Sequence, residues 1–281
     1  MERFTANEAR TLTSPRQADS HKGTYGHGLL IAGSYGMAGA ALMAARASLR
    51  SGIGLLTVST PECNRIILQT AVPEAMVRTN GGHCWENAAS DTSRYSAMAV
   101  GPGIGKDRKT ADALTNSLKS PHISGKPVIL DADALNIIAE SNELELLAES
   151  IITPHPGEFS RLLHCDGQEY DNRKRAELAS GFAGKHNCCV VLKGHGTVVA
   201  SPDGHISINA TGNPGMATGG SGDVLTGILL ALAAQGLSDY DAARLGVFVH
   251  GLAGDIAAEA LTQTAMTATD IIASLPKAWT I

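Results

Sequence analysis

The stretch Asn213-Pro-Gly-Met-Ala-Thr-Gly-Gly-Ser-Gly-Asp-Val-Leu-Thr-Gly227 decides how this chain is read. It sets Gly215, Gly219, Gly220 and Gly222 ahead of one acid, Asp223, and an apolar helical run follows at once. Glycine permits positive φ and lets a ligand approach the backbone closely. A glycine turn feeding a helix start presents free N–H groups and the positive end of the helix dipole, a place for an anion such as phosphate. An acid beside bound phosphate is repelled unless it has a task, such as accepting a proton. The segment therefore points to phosphoryl transfer with Asp223 as base.

Outward from this turn the chain alternates strands and helices. Apolar runs at Gly28–Gly33, Leu55–Thr60, Ala97–Gly101, Pro127–Asp131, Ser150–Thr153 and Cys189–Lys193 read as buried strands. Helices are expected over Gly39–Arg50, Asp107–Leu118 and Asp171–Lys185, with one more starting near Ala134 and capped by Asp133. Thr197–Ala200 and His205–Asn209 flank Ser-Pro-Asp-Gly, which makes an antiparallel hairpin. Helices near Asp223–Ala234, Asp239–Leu261 and Thr267–Ala278 close the chain. The expectation is one α/β domain over residues 1–281: a mostly parallel central sheet, helices on both faces, and the hairpin at one edge.

Composition narrows the function classes. The 22 basic and 27 acidic side chains leave a net charge of −5, which argues against a nucleic-acid binder. No apolar run is long enough to span a bilayer, and residues 1–10 lack the apolar core of a secretory signal, so a cytoplasmic protein is expected. Five cysteines without a framework fit reduced thiols, with Cys188 and Cys189 as buried strand residues.

In such sheets ligands bind beyond the carboxyl ends of the strands. That rule gathers Gly33–Gly39, Gly101–Gly105, Asp131, His155–Glu158 and Lys193–Gly196 on one rim. Gly33-Ser-Tyr-Gly-Met-Ala-Gly39 is neither a Walker A loop nor a Gly-x-Gly-x-x-Gly motif, and a tight βα turn explains it as well as a nucleotide loop does. Asp131 is the candidate magnesium ligand. Pro154 and Pro156 stiffen the backbone around His155, which can then hydrogen-bond a ligand or serve a structural turn. Lys193 can pair with phosphate or stand solvated in a hairpin turn. His250 reads as a satisfied core histidine.

These residues resemble the ADP/ATP-dependent NAD(P)H-hydrate dehydratases of the ribokinase-like superfamily. The matching segments are Lys22-Gly-Thr-Tyr-Gly, Gly33–Ala41, Gly101-Pro-Gly103, Leu130–Asn136, Thr153-Pro-His-Pro-Gly-Glu-Phe159, Val191–Thr197 and Asn213–Gly227. The glycine turn alone says only ribokinase-like; Thr-Pro-His-Pro-Gly-Glu together with Lys-Gly-x-x-Thr narrows it to the dehydratases. The resemblance implies a three-layer ribokinase-like fold and a lyase that restores NADH or NADPH from the S epimer of its hydrate. It implies ADP as co-substrate, with ATP used in other branches, and Mg2+ as cofactor. Asp223 would be the catalytic base. Ala40, Gly103, His155 and Asp223 would contact the hydrated cofactor. Lys193, Gly194, His195, Gly196 and Thr197 would hold the nucleotide, with Gly219, Gly220, Ser221 and Gly222. Family analogy adds a homo-oligomer, a tetramer. Many relatives carry an epimerase domain ahead of the dehydratase; the resemblance begins at Lys22, so the epimerase is expected on another chain.

Two other readings compete. A small-alcohol kinase of the same superfamily, such as a vitamin-precursor kinase, shares the turn and the base, but its product keeps the phosphate. A non-catalytic nucleotide-binding regulator needs the nucleotide site but has no use for Asp223.

Overall fold

The computed structural model describes residues 2–281 except 14, 90, 122, 124 and 166–169. Its strands are β1 (Glu2–Arg3), β2 (His27–Ile31), β3 (Leu55–Thr60), β4 (Met76–Thr79), β5 (Ala97–Val100), β6 (Val128–Leu130), β7 (Ser150–Ile152), β8 (Cys189–Leu192), β9 (Val198–Ala200) and β10 (Ile206–Ile208). Its helices are α1 (Ala6–Leu12), α2 (Ala38–Arg50), α3 (Arg65–Ala71), α4 (Arg108–Leu118), α5 (Asp133–Ser141), α6 (Pro156–Leu162), α7 (Asn172–His186), α8 (Ser221–Ala234), α9 (Asp239–Leu261) and α10 (Ala268–Ala278).

All the strands join one sheet in the order β1-β10-β9-β8-β7-β6-β5-β2-β3-β4. Every neighbouring pair is parallel except β8 with β9 and β9 with β10, so β9 alone runs against the rest. The hairpin expected at the edge lies one strand inside it. Two residues of β1 pair with Ser207 and Ile208 and cover β10.

Strands β5, β6 and β8 are apolar throughout and β7 carries one polar residue, Ser150, as suits a sheet covered by helices on both faces. Alternation then sorts each strand between two cores. Ile129, Ile151, Cys189 and Val191 join the core under α2, α8, α9 and α10. Leu130, Ile152, Val190 and Leu192 join the other, under α4, α5, α6 and α7. Cys188 and Cys189 fall on opposite faces, both buried, and burial pushes the Cys188 thiol up to about 12. Among the described residues no helix is long and apolar enough to cross a membrane.

Helix α8 is seated by direct backbone contact. A Cβ on Gly227 would come within 2.1 Å of the Ala44 carbonyl oxygen of α2, and the Ser48 hydroxyl donates to the Gly227 carbonyl at 2.9 Å. This close approach fixes where the first turn of α8 sits against the rim. Helices α4 and α7 start at side-chain caps: Asp107 accepts from the Lys109 N–H and Asp171 from the Lys174 N–H. Asp133 does not cap α5 as expected. The capping position is Ala132, and the Asp133 carboxylate accepts the Gly105 N–H at 2.9 Å instead.

Candidate active site

Backbone hydrogen bonds stitch the strand ends into one rim. Gly33 donates to the Pro102 carbonyl, Asp131 to Val100, Thr153 to Leu130, and Lys193 to Pro154. A cavity of about 780 Å³ opens there, bounded by Asp131, His155, the Lys193–Thr197 loop and Ser221–Asp223, with Val247 and His250 of α9 behind.

Asp223 occupies the first turn of α8. Gly220 turns the chain into the helix at φ 92°, a left-handed conformation that a side chain resists, and no side chain caps the turn. The N–H groups of Gly222 and Asp223 therefore find no acceptor among the described residues. The Asp223 carboxylate has no hydrogen-bond partner there either. Burial pushes its pKa up to about 7, Asp131 and Asp133 add to the rise, and Lys193 opposes it.

Beneath this turn lies a buried ion pair. Lys193 Nζ is 2.8 Å from Asp131 Oδ1 and 3.8 Å from Glu158 Oε2. The Thr226 hydroxyl donates to Asp131 Oδ2 at 2.7 Å. Burial alone would raise the Asp131 pKa, but Lys193 and these hydrogen bonds outweigh it and hold the carboxyl below its ordinary value. Lys193 is the converse: burial disfavours its charge, yet Asp131 and Glu158 hold its pKa above the ordinary value. Two neighbouring carboxylates are thus driven apart, Asp131 toward a fixed anion and Asp223 toward a proton acceptor. Ala132, between Asp131 and Asp133, has φ 49° and ψ −118°, a conformation that costs about 1–3 kcal/mol for a residue with a side chain.

Asp131, the expected magnesium ligand, lines the cavity. Both its oxygens are engaged, and among the described residues no group of three or more His, Cys, Asp or Glu is placed to hold a metal. The site fits magnesium brought on nucleotide phosphates, since Mg2+ keeps several waters and is bound through one or two carboxylates plus phosphate oxygens.

His155 caps α6. Its Nδ1 accepts the N–H groups of Gly157 at 3.0 Å and Glu158 at 3.3 Å, while the Glu158 carboxylate accepts the His155 N–H at 2.8 Å. An Nδ1 that accepts must be unprotonated, so the neutral ring carries its proton on Nε2. Burial lowers the His155 pKa, Glu158 opposing and Lys193 assisting.

The expected residues divide into two groups. His155, Lys193–Thr197, Ser221, Gly222 and Asp223 line the cavity. Ala40 and Gly103 lie outside it and against each other: a Cβ on Gly103 would be 2.9 Å from the Ala40 Cβ. Of the two remaining glycines, Gly220 backs onto Met43 of α2, and Gly219 has open space around it. Thr226 and Arg175 went unread in the sequence, and His250 was read only as a core histidine. Thr226 fixes Asp131. His250, buried as expected, has Nε2 3.3 Å from the Ser221 hydroxyl, and burial lowers its pKa to about 4. Arg175 of α7 donates to the carbonyls of Leu192, Lys193 and His195.

The sheet order, its two helical layers and the cavity above α8 define a ribokinase-like α/β protein. Ribokinase from Arabidopsis thaliana superposes with a TM-score of 0.58 over 89% of this chain and 98% of that one, at 14% identity, a likeness of fold alone. The NAD(P)H-hydrate dehydratase family model matches residues 28–277, and the chain belongs to that family. It is 40% identical to the bifunctional NAD(P)H-hydrate repair enzyme Nnr of Moorella thermoacetica, over 97% of this chain and 53% of that protein. The chain thus spans about half the length of such relatives. It is 36% identical to the ADP-dependent (S)-NAD(P)H-hydrate dehydratase of Bacillus subtilis, over 98% of this chain and 97% of that one. The crystal structure of the ADP/ATP-dependent NAD(P)H-hydrate dehydratase from Bacillus subtilis, co-crystallized with ATP and Mg2+, superposes with a TM-score of 0.85 at 34% identity, covering 99% and 98% of the two chains.

Proposed function

We propose that this protein dehydrates the S epimer of hydrated NADH or NADPH in an ADP-dependent reaction, giving the reduced cofactor, AMP and phosphate. The observation that carries the reading is Asp223, a half-buried acid without a hydrogen-bond partner among the described residues, set beside two N–H groups unengaged by them and across from the Lys193 ammonium. That combination suits an alcohol attacking a phosphoryl group.

A ring hydroxyl is a poor leaving group at neutral pH, and phosphorylation makes it a good one. Asp223 takes the hydroxyl proton as the oxygen attacks the terminal phosphorus of ADP, and the bond to the AMP oxygen breaks. The N–H groups of Gly222 and Asp223 and the Lys193 ammonium receive the charge growing on the transferred group. Magnesium, when bound, neutralises the nucleotide phosphates. The ring nitrogen's lone pair then expels phosphate, and loss of a proton from the neighbouring carbon restores the dihydropyridine. In this reading Ala40, Gly103, His155 and Asp223 face the hydrated cofactor. The loop from Lys193 to Thr197 and the turn from Gly219 to Gly222 face the nucleotide. The loop, Ser221 and Gly222 line one cavity with His155 and Asp223, which supports the two ligands meeting there.

We take residues 1–281 as one domain, because both cores share one sheet. Free cysteines support a cytoplasmic setting. A separate epimerase as functional partner and a tetramer complete the reading by family analogy.

The test is to incubate the protein with hydrated NADH, ADP and magnesium. Recovery of reduced-nicotinamide absorbance together with free phosphate supports the dehydratase. A stable phosphorylated organic product points to a kinase, and nucleotide binding without turnover points to a regulator.

A further inference from the structure

We propose that Arg175 is the positioning residue of the nucleotide loop, and that its guanidinium sets nucleotide affinity without touching the reacting atoms. The proposal rests on the reading of Lys193–Thr197 as the nucleotide loop.

Arg175 lies in the first turn of α7, on a different element from every residue assigned a chemical task. Its Nη1 donates to the His195 carbonyl at 2.8 Å and to Asn172 Oδ1 at 3.1 Å. Its Nη2 donates to the carbonyls of Leu192 at 3.1 Å and Lys193 at 3.0 Å. No carboxylate pairs with it among the described residues, so this half-buried cation is held by neutral oxygens alone. The planar fork suits such multiple donation, and an ammonium cannot reproduce it.

The loop is shaped to receive the fork. Gly194 has φ 142°, and a Cβ there would lie 2.8 Å from Arg175 Nη2. The Thr197 hydroxyl closes the turn from the other side by donating to the Gly194 carbonyl at 2.9 Å. With the carbonyls of residues 192, 193 and 195 drawn toward α7, the opposite side of the loop is left facing the cavity. Lys193 reaches from this anchored backbone to Asp131, so the guanidinium fixes the backbone from which the ammonium extends.

The experiment is calorimetric titration of wild type, Arg175→Met, Arg175→Lys and Arg173→Ala with Mg·ADP, together with steady-state kinetics and thermal melting. Arg175→Met keeps the aliphatic stem and removes the donors. Hydrogen bonds to charged groups contribute enough that about 10- to 100-fold weaker nucleotide binding is expected. KM for the hydrated cofactor should stay at the wild-type value, and Arg175→Lys should recover only part of the nucleotide affinity. Arg173 is 82% exposed and pairs with Glu177 on its own helix, so Arg173→Ala removes the same charge and should leave affinity unchanged.

Wild-type affinity in Arg175→Met overturns the proposal, as does an equal loss in Arg173→Ala or an equal rise in KM for the hydrated cofactor. If Arg175→Met does not fold, Arg175→Lys decides, and full nucleotide affinity in it overturns the proposal. Absence of nucleotide binding by the wild type overturns the loop assignment instead, a result that the titration shows separately.

Discussion

Lys193 Nζ stands 2.8 Å from Asp131 Oδ1, and both lie beneath Gly222, where an added Cβ would be 3.4 Å from that ammonium. A buried pair joining the ends of β6 and β8 therefore supports the first turn of α8, and Asp223 takes its electrostatic setting from that pair.

Asp223 should govern the acid limb of activity. Its carboxyl titrates at about 7, and only the ionised form accepts a proton. Activity, followed as kcat/KM for the hydrated cofactor, should rise with pH through about 7 and level off above it. Asp223→Asn should fold, bind nucleotide and lose turnover about 10²–10⁴-fold. Near-normal turnover in that variant would refute the role of base.

Asp131→Asn should cost stability, since breaking a buried pair leaves an uncompensated charge. The cost should be about 3 kcal/mol, the low end for buried pairs because the Lys193 side chain is 20% exposed. The Asp131 pKa is depressed on folding, so its contribution is present above the unfolded value and lost as pH falls through the folded one. Wild type should therefore lose stability below about pH 4, and the variant's melting curve should be flatter there. Parallel acid profiles for the two proteins would count against the assignment.

Gly222→Ala separates stability from activity. Alanine is the better helix former by about 0.8–1.0 kcal/mol, and the new methyl would meet the Lys193 ammonium at an ordinary contact distance of 3.4 Å. Tm should hold or rise while KM for nucleotide increases, because the methyl protrudes into the phosphate cup. An unchanged nucleotide KM would show that the cup is not where phosphate sits.

His155 caps α6, and the proposed reading adds a substrate contact that substitution can part from the cap. Asparagine also caps helices well, whereas alanine in place of a cap costs about 1 kcal/mol. His155→Asn should hold Tm near wild type and raise KM for the hydrated cofactor; His155→Ala should lower Tm as well. A substrate KM unaffected by both variants would leave His155 as a cap alone.

The parallel core was legible because each central strand is buried on both faces and so appears as a short unbroken apolar run. β4 was not, because Met76, Arg78 and Thr79 are exposed on the sheet edge and leave no pattern. Nor was β1, with two residues. Glycines marked out Asp223 at a helix start and Lys193 at a strand end, and two prolines marked out His155. The partnerships stayed hidden. Lys193 and Asp131 are 62 positions apart and meet only because β7 lies between their strands. Arg175 follows Arg173 and Lys174 and reads as one more solvated charge. Thr226, inside an apolar helix, carries no signal until Asp131 is seen beneath it.

The reversed direction of β9 has a consequence for how this protein can vary. Leu192 and Val198 are directly opposed in the sheet, so five residues complete the connection between β8 and β9. Its span is pinned at both ends by ladder bonds, whereas the crossover connections elsewhere have length to spare. So short a link leaves little chain from which to build a hinged flap. On the proposed reading of this link as the nucleotide loop, discrimination between nucleotides would rest on the side chains it carries.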